Sequence, residues 1–342
     1  MFYVSNYTFA VVLCVVCMFC WGSWGNTQKL AGKSWRYELF YWDYVIGLLL
    51  FSLVMGLTLG SMGDNANWGF IANLRSSFGP TWIWPLLAGI VFNASNILLS
   101  ASIAVAGMSV AFPVGVGLAL VGGTLFNYVQ APNGKPFATI AAGLVLIVIS
   151  IVCNALAFKV KQSVASTSTS SSSSTRKGLV FAIIAGLLMM WFSPLVNKVM
   201  DNNFTEAMPA ADKMTAYTAF FVFALGVFVS NFLWNTIAMK KPVSGEPVAF
   251  SAFFKGGFPI HLVGVLGGSI WGLGTLLSFV TSGAASPAIA YALGQGATLV
   301  SALWGILIWK EFAGAPKKST VLNFAMFVLF VAGLALLIKA GA

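Results

Sequence analysis

Polar side chains recur at helical spacing inside otherwise apolar segments of this 342-residue chain. Each of five stripes falls on one face of a helix. The stripes are Trp21, Trp24 and Gln28; Asn93, Asn96 and Ser100; Ser193 and Asn197; Trp271, Thr275 and Ser278; and Tyr291, Gln295 and Thr298. Amides and hydroxyls donate and accept hydrogen bonds, and indoles offer flat faces. Together the stripes suit a neutral, hydrogen-bonding solute held in a shared interior.

We expect nine of these polar and aromatic residues to bind the solute. They are Trp24, Asn26, Asn93, Asn96, Ser193, Asn197, Trp271, Thr275 and Gln295. Trp24 and Trp271 would stack on the solute, while the amide side chains would hydrogen-bond it. Gly117 and Gly294 are expected to permit close helix packing.

Two acids touch the apolar segments, Asp43 at the start of the second and Glu311 at the end of the ninth. A carrier coupled to protons needs a group that binds and releases a proton as access alternates, and we predict Asp43 for that role. Glu311 follows Lys310 and is expected to pair locally. His261 lies beside Pro259 and is expected at the membrane interface.

Enzyme chemistry finds no support in the sequence. The single histidine excludes a zinc-binding HExxH motif, and no phosphate-binding GxxxxGK[ST] motif occurs. Cys14, Cys17 and Cys20 drift around one helix without other ligands, so no metal site is expected. We predict neither enzyme activity nor a cofactor, and no obligate protein partner is evident.

The elements that position these side chains must be membrane helices. Hydrophobic residues make up 59% of the chain and charged residues 8%, too few charges to cover a water-soluble domain. The net charge of +10 comes from basic residues in short loops, where it indicates topology and contact with lipid headgroups, not nucleic acid. Ten apolar segments are long enough to cross a bilayer as helices: Tyr7–Lys29, Asp43–Gly60, Thr81–Val105, Met108–Val129, Pro136–Phe158, Gly178–Met200, Met214–Met239, Pro259–Thr281, Ala284–Trp309 and Thr320–Ile338. We therefore predict an all-α polytopic membrane protein.

A Ser/Thr-rich stretch divides the ten segments into two groups of five. We predict a first repeat at 1–161, a cytoplasmic linker at 162–177 and a second repeat at 178–342. Trp21-Gly22-Ser23-Trp24 lines up with Trp191-Phe192-Ser193-Pro194, and Ser109, Gly117 and Thr124 line up with Ser286, Gly294 and Ser301. Because five crossings reverse the chain, the two repeats are expected to be inverted, with the solute site between them.

Basic residues set the predicted orientation. Thirteen lie in the loops after the first, fifth, seventh and ninth segments: Lys29, Lys33, Arg36, Lys159, Lys161, Arg176, Lys177, Lys240, Lys241, Lys255, Lys310, Lys317 and Lys318. The other side holds five: Arg75, Lys135, Lys198, Lys213 and Lys339. Because basic loops stay cytoplasmic, both termini are expected outside the cytoplasm. The short loops are typical of a bacterial protein, which places it in the inner membrane.

Several motifs in order along the chain resemble the drug/metabolite transporter superfamily, and most of all its ureide permease family. They are Phe19–Trp24, Trp42-Asp43, Gly89–Asn96, Gly107–Val110, Gly123–Tyr128, Phe192–Pro194 with Asn197, Thr215–Ala219, and Trp304–Ile308 with Glu311. Glucose and ribose porters of the superfamily look similar at Pro113, Gly117 and Gln295. Plant ureide permeases carry a long central loop, in place of which this chain has the Ser/Thr stretch.

The resemblance implies five plus five inverted repeats and proton-coupled uptake of ureides such as allantoin, or of oxo-heterocycles such as uracil. The expected partners are thus the solute, protons and the lipid bilayer. Three alternatives stay open: a proton symporter for glucose-, ribose- or rhamnose-type sugars, a metabolite or drug exporter, and a membrane scaffold or sensor without transport.

Overall fold

The computed structural model describes residues 1–32, 35–62, 69–130, 136–165, 169–202, 209–210, 212–243 and 245–341. Within these ranges ten helices are long and apolar enough to span a membrane, which confirms the predicted fold class. We label them α1 to α10: Tyr7–Ala31, Tyr37–Ser61, Pro80–Ala106, Met108–Gln130, Phe137–Lys161, Arg176–Asn197, Ala216–Lys240, Phe258–Ala285, Pro287–Ile308 and Lys317–Ala340. The described residues contain no β-strand.

Helix α2 begins six residues before the predicted start at Asp43, because its first turn carries an ion pair that reads as a loop in the sequence. Glu38 is buried in that turn and binds Arg36, whose guanidinium lies 2.7 Å from the Glu38 carboxylate. Neighbouring buried aromatic residues complete the turn. Because these charged residues are excluded from the apolar segment, the sequence prediction starts the helix too late.

Four helices are interrupted along their length. Helix α1 consists of two stretches that meet at Trp24, α4 contains a π-helical stretch at Phe112–Val116, and α9 breaks at Gly296. In α6 a turn at Met190 and Trp191 separates the long helix from a short terminal one. Interrupted helices free backbone groups and redirect side chains, and in transporters they commonly surround the bound solute.

Helices α4 and α9 also begin in the same manner. The residue before each helix has a left-handed backbone, with φ of +86° at Gly107 and +74° at Ser286. Glycine adopts this conformation without strain, whereas Ser286 uses its hydroxyl to cap the Ile289 N–H. Each cap turns the chain sharply into a helix that crosses the centre of the bundle.

Helix packing occurs in matching pairs. The contact between α2 and α8 corresponds to the contact between α7 and α3, and the contact between α1 and α8 corresponds to that between α6 and α3. Helix α4 packs on its counterpart α9, and α5 packs on its counterpart α10. A Cβ on Gly268 of α8 would lie 1.9 Å from the Tyr44 carbonyl oxygen of α2, and one on Gly89 of α3 would lie 2.2 Å from that of Phe223 of α7. Both contacts need glycine. The correspondence is consistent with inverted repeats, which stay a prediction.

The two ends of the chain lie on the same side of the bundle. The Tyr7 hydroxyl, at the start of α1, donates a 2.7 Å hydrogen bond to the carbonyl oxygen of Ile338 at the end of α10. The chain makes an even number of crossings between them. This agrees with both termini facing one compartment, whose identity stays a prediction.

The stretch predicted as a linker has helical backbone at 162–165 and again at 169–177, continuous with the helices around it. Residues 166–168 lie outside the described residues. The described parts of the Ser/Thr stretch thus continue α5 and α6. The division into two repeats stays a prediction.

Candidate solute-binding cavity

A small cavity lies at the centre of the bundle, between side chains of α1, α3, α4, α6, α8 and α9. It contains about 280 Å³ of space between atoms, so narrow that it admits roughly one water molecule. Its wall is mostly aromatic: Trp21, Trp24, Phe92, Phe112, Phe192 and Trp271. Asn96 and Gln295 supply amides. None of the described residues that line it carries a charge.

Trp271 forms the middle of the aromatic wall. Its ring stacks on that of Trp21, with centroids 5.8 Å apart and planes 15° apart, and the Phe92 ring lies 4.3 Å away. The Trp21 indole N–H donates to the Thr275 hydroxyl and to the Trp271 carbonyl, each at 3.2 Å. Because that donor is already used, Trp21 offers the cavity its ring and not its N–H.

Asn96 is the amide with a free carbonyl. Its Nδ2 donates to the Tyr41 hydroxyl at 3.2 Å, whereas its Oδ1 has no hydrogen-bond partner among the described residues although the side chain is fully buried. A buried acceptor without a partner loses its water without compensation. The Asn96 carbonyl is therefore ready to accept an N–H from a solute.

The structure brings four of the nine predicted solute-binding residues to the cavity: Trp24, Asn96, Trp271 and Gln295. Thr275 lies behind the wall and holds Trp21 in place. Hydrogen bonds hold the other four away from the cavity: Asn26, Asn93, Ser193 and Asn197.

Asn93 and Asn26 do not line the cavity because other bonds hold them. Asn93 accepts from the Tyr41 hydroxyl at 3.0 Å and donates to the Val227 carbonyl and the Ser230 hydroxyl. Asn26 donates to the Ser23 carbonyl and accepts from the Trp309 indole at 2.7 Å. Both asparagines connect helices or helix ends.

Ser193 and Asn197 do not line the cavity, and hydrogen bonds hold them beside Asn127. Asn197 Nδ2 donates to Asn127 Oδ1 at 3.0 Å, and Asn127 Nδ2 donates to the Ser193 hydroxyl at 3.0 Å. Asn127 and Asn197 line a separate vestibule. This group connects α4 with the end of α6.

The phenylalanines of the wall are absent from the sequence prediction. Phe92 precedes Asn93, and Phe192 precedes Ser193, so each adjoins a residue that the polar stripes select. The chain has 29 phenylalanines, and hydropathy alone does not separate a cavity wall from a lipid-facing surface. Adjacency to a polar stripe is the one signal that points to these two.

Two vestibules approach the cavity from opposite ends of the bundle. The Lys29 vestibule, of about 1,240 Å³, is lined in part by Gln28, Lys29, Trp35, Arg36, Ile103 and Glu311. The Asn197 vestibule, of about 710 Å³, is lined by Asn127, Gln130, Asn197, Lys198, Asn202, Lys213 and Pro287. Along α1 the cavity residue Trp24 and the vestibule residue Gln28 are one turn apart, roughly 6 Å. The partition on that side is thin.

A buried ion pair lies at the edge of the Lys29 vestibule. The carboxylate of Glu311 binds the Lys29 ammonium and accepts hydrogen bonds from the Met108 N–H at 3.0 Å, the Ser109 N–H at 2.8 Å and the Ser109 hydroxyl at 2.6 Å. These N–H groups open α4, where a helix favours negative charge. We call this group the Glu311 clasp. It corrects the expected local pairing of Glu311 with Lys310.

Glycine makes room for the Glu311 clasp. A Cβ on Gly107 would lie 2.8 Å from the Glu311 carboxyl carbon, and one on Gly305 would lie 2.7 Å from its oxygen. Burial raises the pKa of the Glu311 carboxyl, but the hydrogen bonds from Lys29 and Ser109 outweigh burial and hold that pKa below its usual range. The carboxylate therefore stays charged.

Asp43 lies outside the cavity wall, in the first half of α2. Its carboxylate accepts a hydrogen bond from the Trp35 indole N–H at 3.0 Å and lies 2.7 Å from Nδ1 of His261. Asp43 is almost fully buried, whereas His261 keeps 23% of its side chain exposed. His261 is thus the partner of Asp43, and its location at the membrane interface stays a prediction. Trp35 connects the pair to the Lys29 vestibule.

Comparison with known proteins gives a family. The ureide permease family model matches residues 154–340, more than half of the chain. Ureide permease 2 of Arabidopsis thaliana is 23% identical over 87% of this chain and 88% of its own length, and ureide permease 1 of the same plant is 25% identical over 87% of each. Ureide permease 4 is 31% identical over 47% of this chain and 40% of its own.

A solved crystal structure has the same fold at 14% identity. It superposes with a TM-score of 0.57 and covers 97% of this chain and 96% of its own. The ten membrane helices and the family match agree on a multi-pass membrane transporter and not an enzyme. The chain belongs to the ureide permease family.

Proposed function

We propose that the protein imports a small, neutral, polar metabolite, a ureide such as allantoin or an oxo-heterocycle such as uracil, by proton symport with alternating access. The observation that carries this proposal is the uncharged aromatic cavity with two amides, which lies between two vestibules on opposite sides of the bundle. The relatives that match most of the chain bear the name ureide permease, which supports a ureide as the solute.

The chemistry of the cavity fits a flat solute that carries N–H and C=O groups. Aromatic rings bind the flat faces of such a solute, and the amides of Asn96 and Gln295 match its edges. Moving a charged solute through this space would require its desolvation without a counter-charge from any described lining residue. The lining therefore favours a neutral solute.

Alternating access would proceed by rocking of the two halves around the cavity. Each vestibule stops short of it, and the wall comes from both halves: Trp24 and Asn96 from the first, Trp271 and Gln295 from the second. A relative movement of the halves would widen one thin partition and close the other. The solute would then meet one side of the membrane at a time.

The proposed proton carrier is Asp43. It is a buried carboxylate beside a partly exposed histidine, which gives the proton a route between water and the carboxylate. A carboxylate in this position binds a proton when its hydrogen bonds to Trp35 and His261 rearrange. Coupling would follow if the rearrangement accompanies the rocking movement.

Uptake into proteoliposomes tests the function. Radiolabelled allantoin, uracil, glucose and ribose are offered with and without an inward proton gradient. We expect allantoin or uracil to accumulate, with stimulation by the gradient and no competition from the sugars. Uptake of glucose or ribose alone would assign the protein to sugar symport instead. Loss of solute from preloaded vesicles under the same gradient would indicate export.

The proposed location is the inner membrane of a bacterial cell, with both termini outside the cytoplasm. The Lys29 vestibule, on the side richer in basic residues, would then face the cytoplasm. A reporter that is active only in the cytoplasm, fused after Ala342, is expected to stay inactive. The same reporter fused within the loop after α7 should be active, and the opposite pattern would reverse the orientation.

A further inference from the structure

Near the cavity, four buried polar atoms have no hydrogen-bond partner among the residues that the structure describes. They are Gln28 Oε1, Tyr44 Oη, Asn96 Oδ1 and Ser100 Oγ. Gln28 is 7% exposed, and the other three side chains are fully buried. Leaving a buried polar atom unpaired costs about 1–3 kcal/mol. Four such atoms in one region indicate a place where a ligand completes the hydrogen bonds.

These atoms follow the path from the cavity to the Lys29 vestibule. Asn96 lines the cavity, and Ser100 lies one turn further along α3. On α1, Gln28 lies one turn beyond Trp24 and lines the vestibule. Gln28 Nε2 donates to the Ser100 carbonyl at 3.0 Å, which fixes the two helix turns side by side.

Tyr44 of α2 lies on the third side of this path. Its ring centroid is 5.0 Å from that of Trp24 and 5.3 Å from that of Tyr41. Tyr41 in turn holds the Nδ2 of Asn96, so its own hydroxyl is already used. The Tyr44 hydroxyl, which faces Asn96, makes no hydrogen bond of its own with any of the described residues.

The donors and acceptors match the edge of a ureido group. Gln28 Oε1 and Asn96 Oδ1 accept hydrogen bonds, and the hydroxyls of Tyr44 and Ser100 donate them. A ureide or cyclic amide alternates N–H and C=O groups along its edge. Each of its N–H groups needs an acceptor, and each carbonyl needs a donor.

We propose that Gln28, Tyr44 and Ser100 form a second binding station for the transported solute, one helical turn from the aromatic cavity toward the Lys29 vestibule. The station rests on the proposed function and adds to it the residues that read the N–H and C=O edge of the solute as it leaves the cavity. Asn96 is shared between the cavity and the station.

Three variants remove the unpaired atoms with little change of shape: Tyr44→Phe, Ser100→Ala and Gln28→Met. The matched control is Ser102→Ala. Ser102 lies on α3, as Ser100 does, and its fully buried hydroxyl donates to the Gly178 carbonyl at 2.8 Å. For each purified protein we measure the unfolding temperature without solute. In proteoliposomes we then measure KM and kcat for whichever of allantoin, uracil, glucose and ribose the wild type takes up best.

Tyr44→Phe and Ser100→Ala are expected to unfold at or above the wild-type temperature, because each removes only a polar atom that has no partner among the described residues. Gln28→Met should unfold at a lower temperature, because it also breaks the hydrogen bond from Nε2 to the Ser100 carbonyl. The KM of all three variants should rise roughly 3- to 10-fold, the loss of one hydrogen bond to the solute. Ser102→Ala should unfold at a lower temperature with KM unchanged, because it breaks an existing bond away from the path.

Two results overturn the proposal in different ways. If the wild type takes up allantoin or uracil and all three variants keep KM within twofold, the station is wrong and the proposed function stands. If the wild type takes up neither allantoin nor uracil, the proposed function fails and the station fails with it.

Discussion

At the scale of single residues, the centre of the protein depends on how each aromatic ring is held. The Trp271 ring stacks on that of Trp21 and contacts that of Phe92 at a tilt of 33°, and Thr275 fixes Trp21 by accepting a hydrogen bond from its N–H. The rings are therefore presented to the cavity in one orientation. A solute that binds between them meets rings that are already oriented, although the cavity must widen to admit it.

Replacement of Trp271 tests its contact with the solute. Trp271→Phe should raise the KM for allantoin or uracil about tenfold, because a smaller ring gives up stacking worth roughly 1.4 kcal/mol. The matched control is Trp191→Phe, since Trp191 stacks on Phe126 outside the cavity wall. Proteoliposome uptake measures both. An equal rise of KM in the two variants would show that the effect is not local to the cavity.

Asp43→Asn tests proton coupling. The variant cannot exchange a proton, so stimulation of uptake by an inward proton gradient should disappear while solute exchange without a gradient persists. Glu38→Gln is the control, because Glu38 is a buried carboxylate on the same helix that is paired with Arg36. The ratio of uptake with and without the gradient is the measurement. Unchanged stimulation in Asp43→Asn would exclude the carrier role.

The sequence predicts which helix face carries polar and aromatic residues, but it does not show which of these residues are bound by residues distant in the chain. The polar stripes predicted Trp24, Asn96, Trp271 and Gln295, which do line the cavity. Asn93 has the same residue type and spacing as Asn96, yet it is bound by Tyr41 and Ser230. Periodicity gives the helix face, but only tertiary contacts decide which amide on that face stays free.

At the scale of elements, the Glu311 clasp joins parts that lie far apart in the sequence. Lys29 ends α1, the Met108 and Ser109 N–H groups open α4, and Glu311 follows α9. The Lys161 ammonium, at the end of α5, also donates to the Glu311 carbonyl oxygen. Four helix ends thus meet at one residue beside the Lys29 vestibule. The clasp limits how far these ends can separate without breaking charged hydrogen bonds.

A double-mutant cycle measures the clasp. Lys29→Met and Glu311→Gln should each destabilise the protein, and the double variant should lose less than the sum, with a coupling of about 1–3 kcal/mol. Both side chains are mostly buried, at 21% and 12% exposed, so solvent screens the pair only in part. Thermal unfolding in detergent provides the free energies. Strict additivity would mean that the ion pair contributes nothing.

The coupling free energy between Lys29 and Glu311 should depend on pH only below the usual pKa of glutamate. Because the pKa of Glu311 is lowered in the folded protein, its contribution is fully present above the usual glutamate value of 4.5 and is lost as pH falls through the lower folded value. The coupling between Lys29 and Glu311 should therefore be equal at pH 7 and pH 5.5.

Helix positions were predictable, whereas helix interruptions were not. Ten long apolar segments define ten crossings, because only a helix satisfies the backbone in hydrocarbon. The π-helical stretch at Phe112–Val116 and the break at Gly296 change few residues and leave hydropathy untouched. They arise from packing at the centre of the bundle, which the order of apolar residues does not encode.

At the scale of the whole molecule, neither of the two vestibules is continuous with the narrow central cavity. Both vestibules exceed the cavity in volume, and each is separated from it by a partition of one or two helical turns. Under the proposed alternating access, a relative movement of the two halves would open one side at a time. The helices themselves need not unfold.

Cysteine labelling tests alternation between the two sides. Ile103→Cys reports on the Lys29 vestibule and Asn202→Cys on the Asn197 vestibule, each in a background in which Cys14, Cys17, Cys20 and Cys153 are replaced. With a membrane-impermeant thiol reagent in detergent, saturating solute should raise the labelling rate at one position and lower it at the other. Changes of the same sign at both positions would contradict alternating access.

The hydrogen bond between Tyr7 and Ile338 has a consequence for how the chain can be rearranged. Because it holds the first and last helices together on one face of the bundle, a short peptide could connect Met1 to Ala342 without crossing the bilayer. Such a ring could be cut open between α5 and α6 to give a circular permutant in which the two five-helix groups exchange order. The new ends would emerge on the opposite face, since five crossings separate the old ends from the cut.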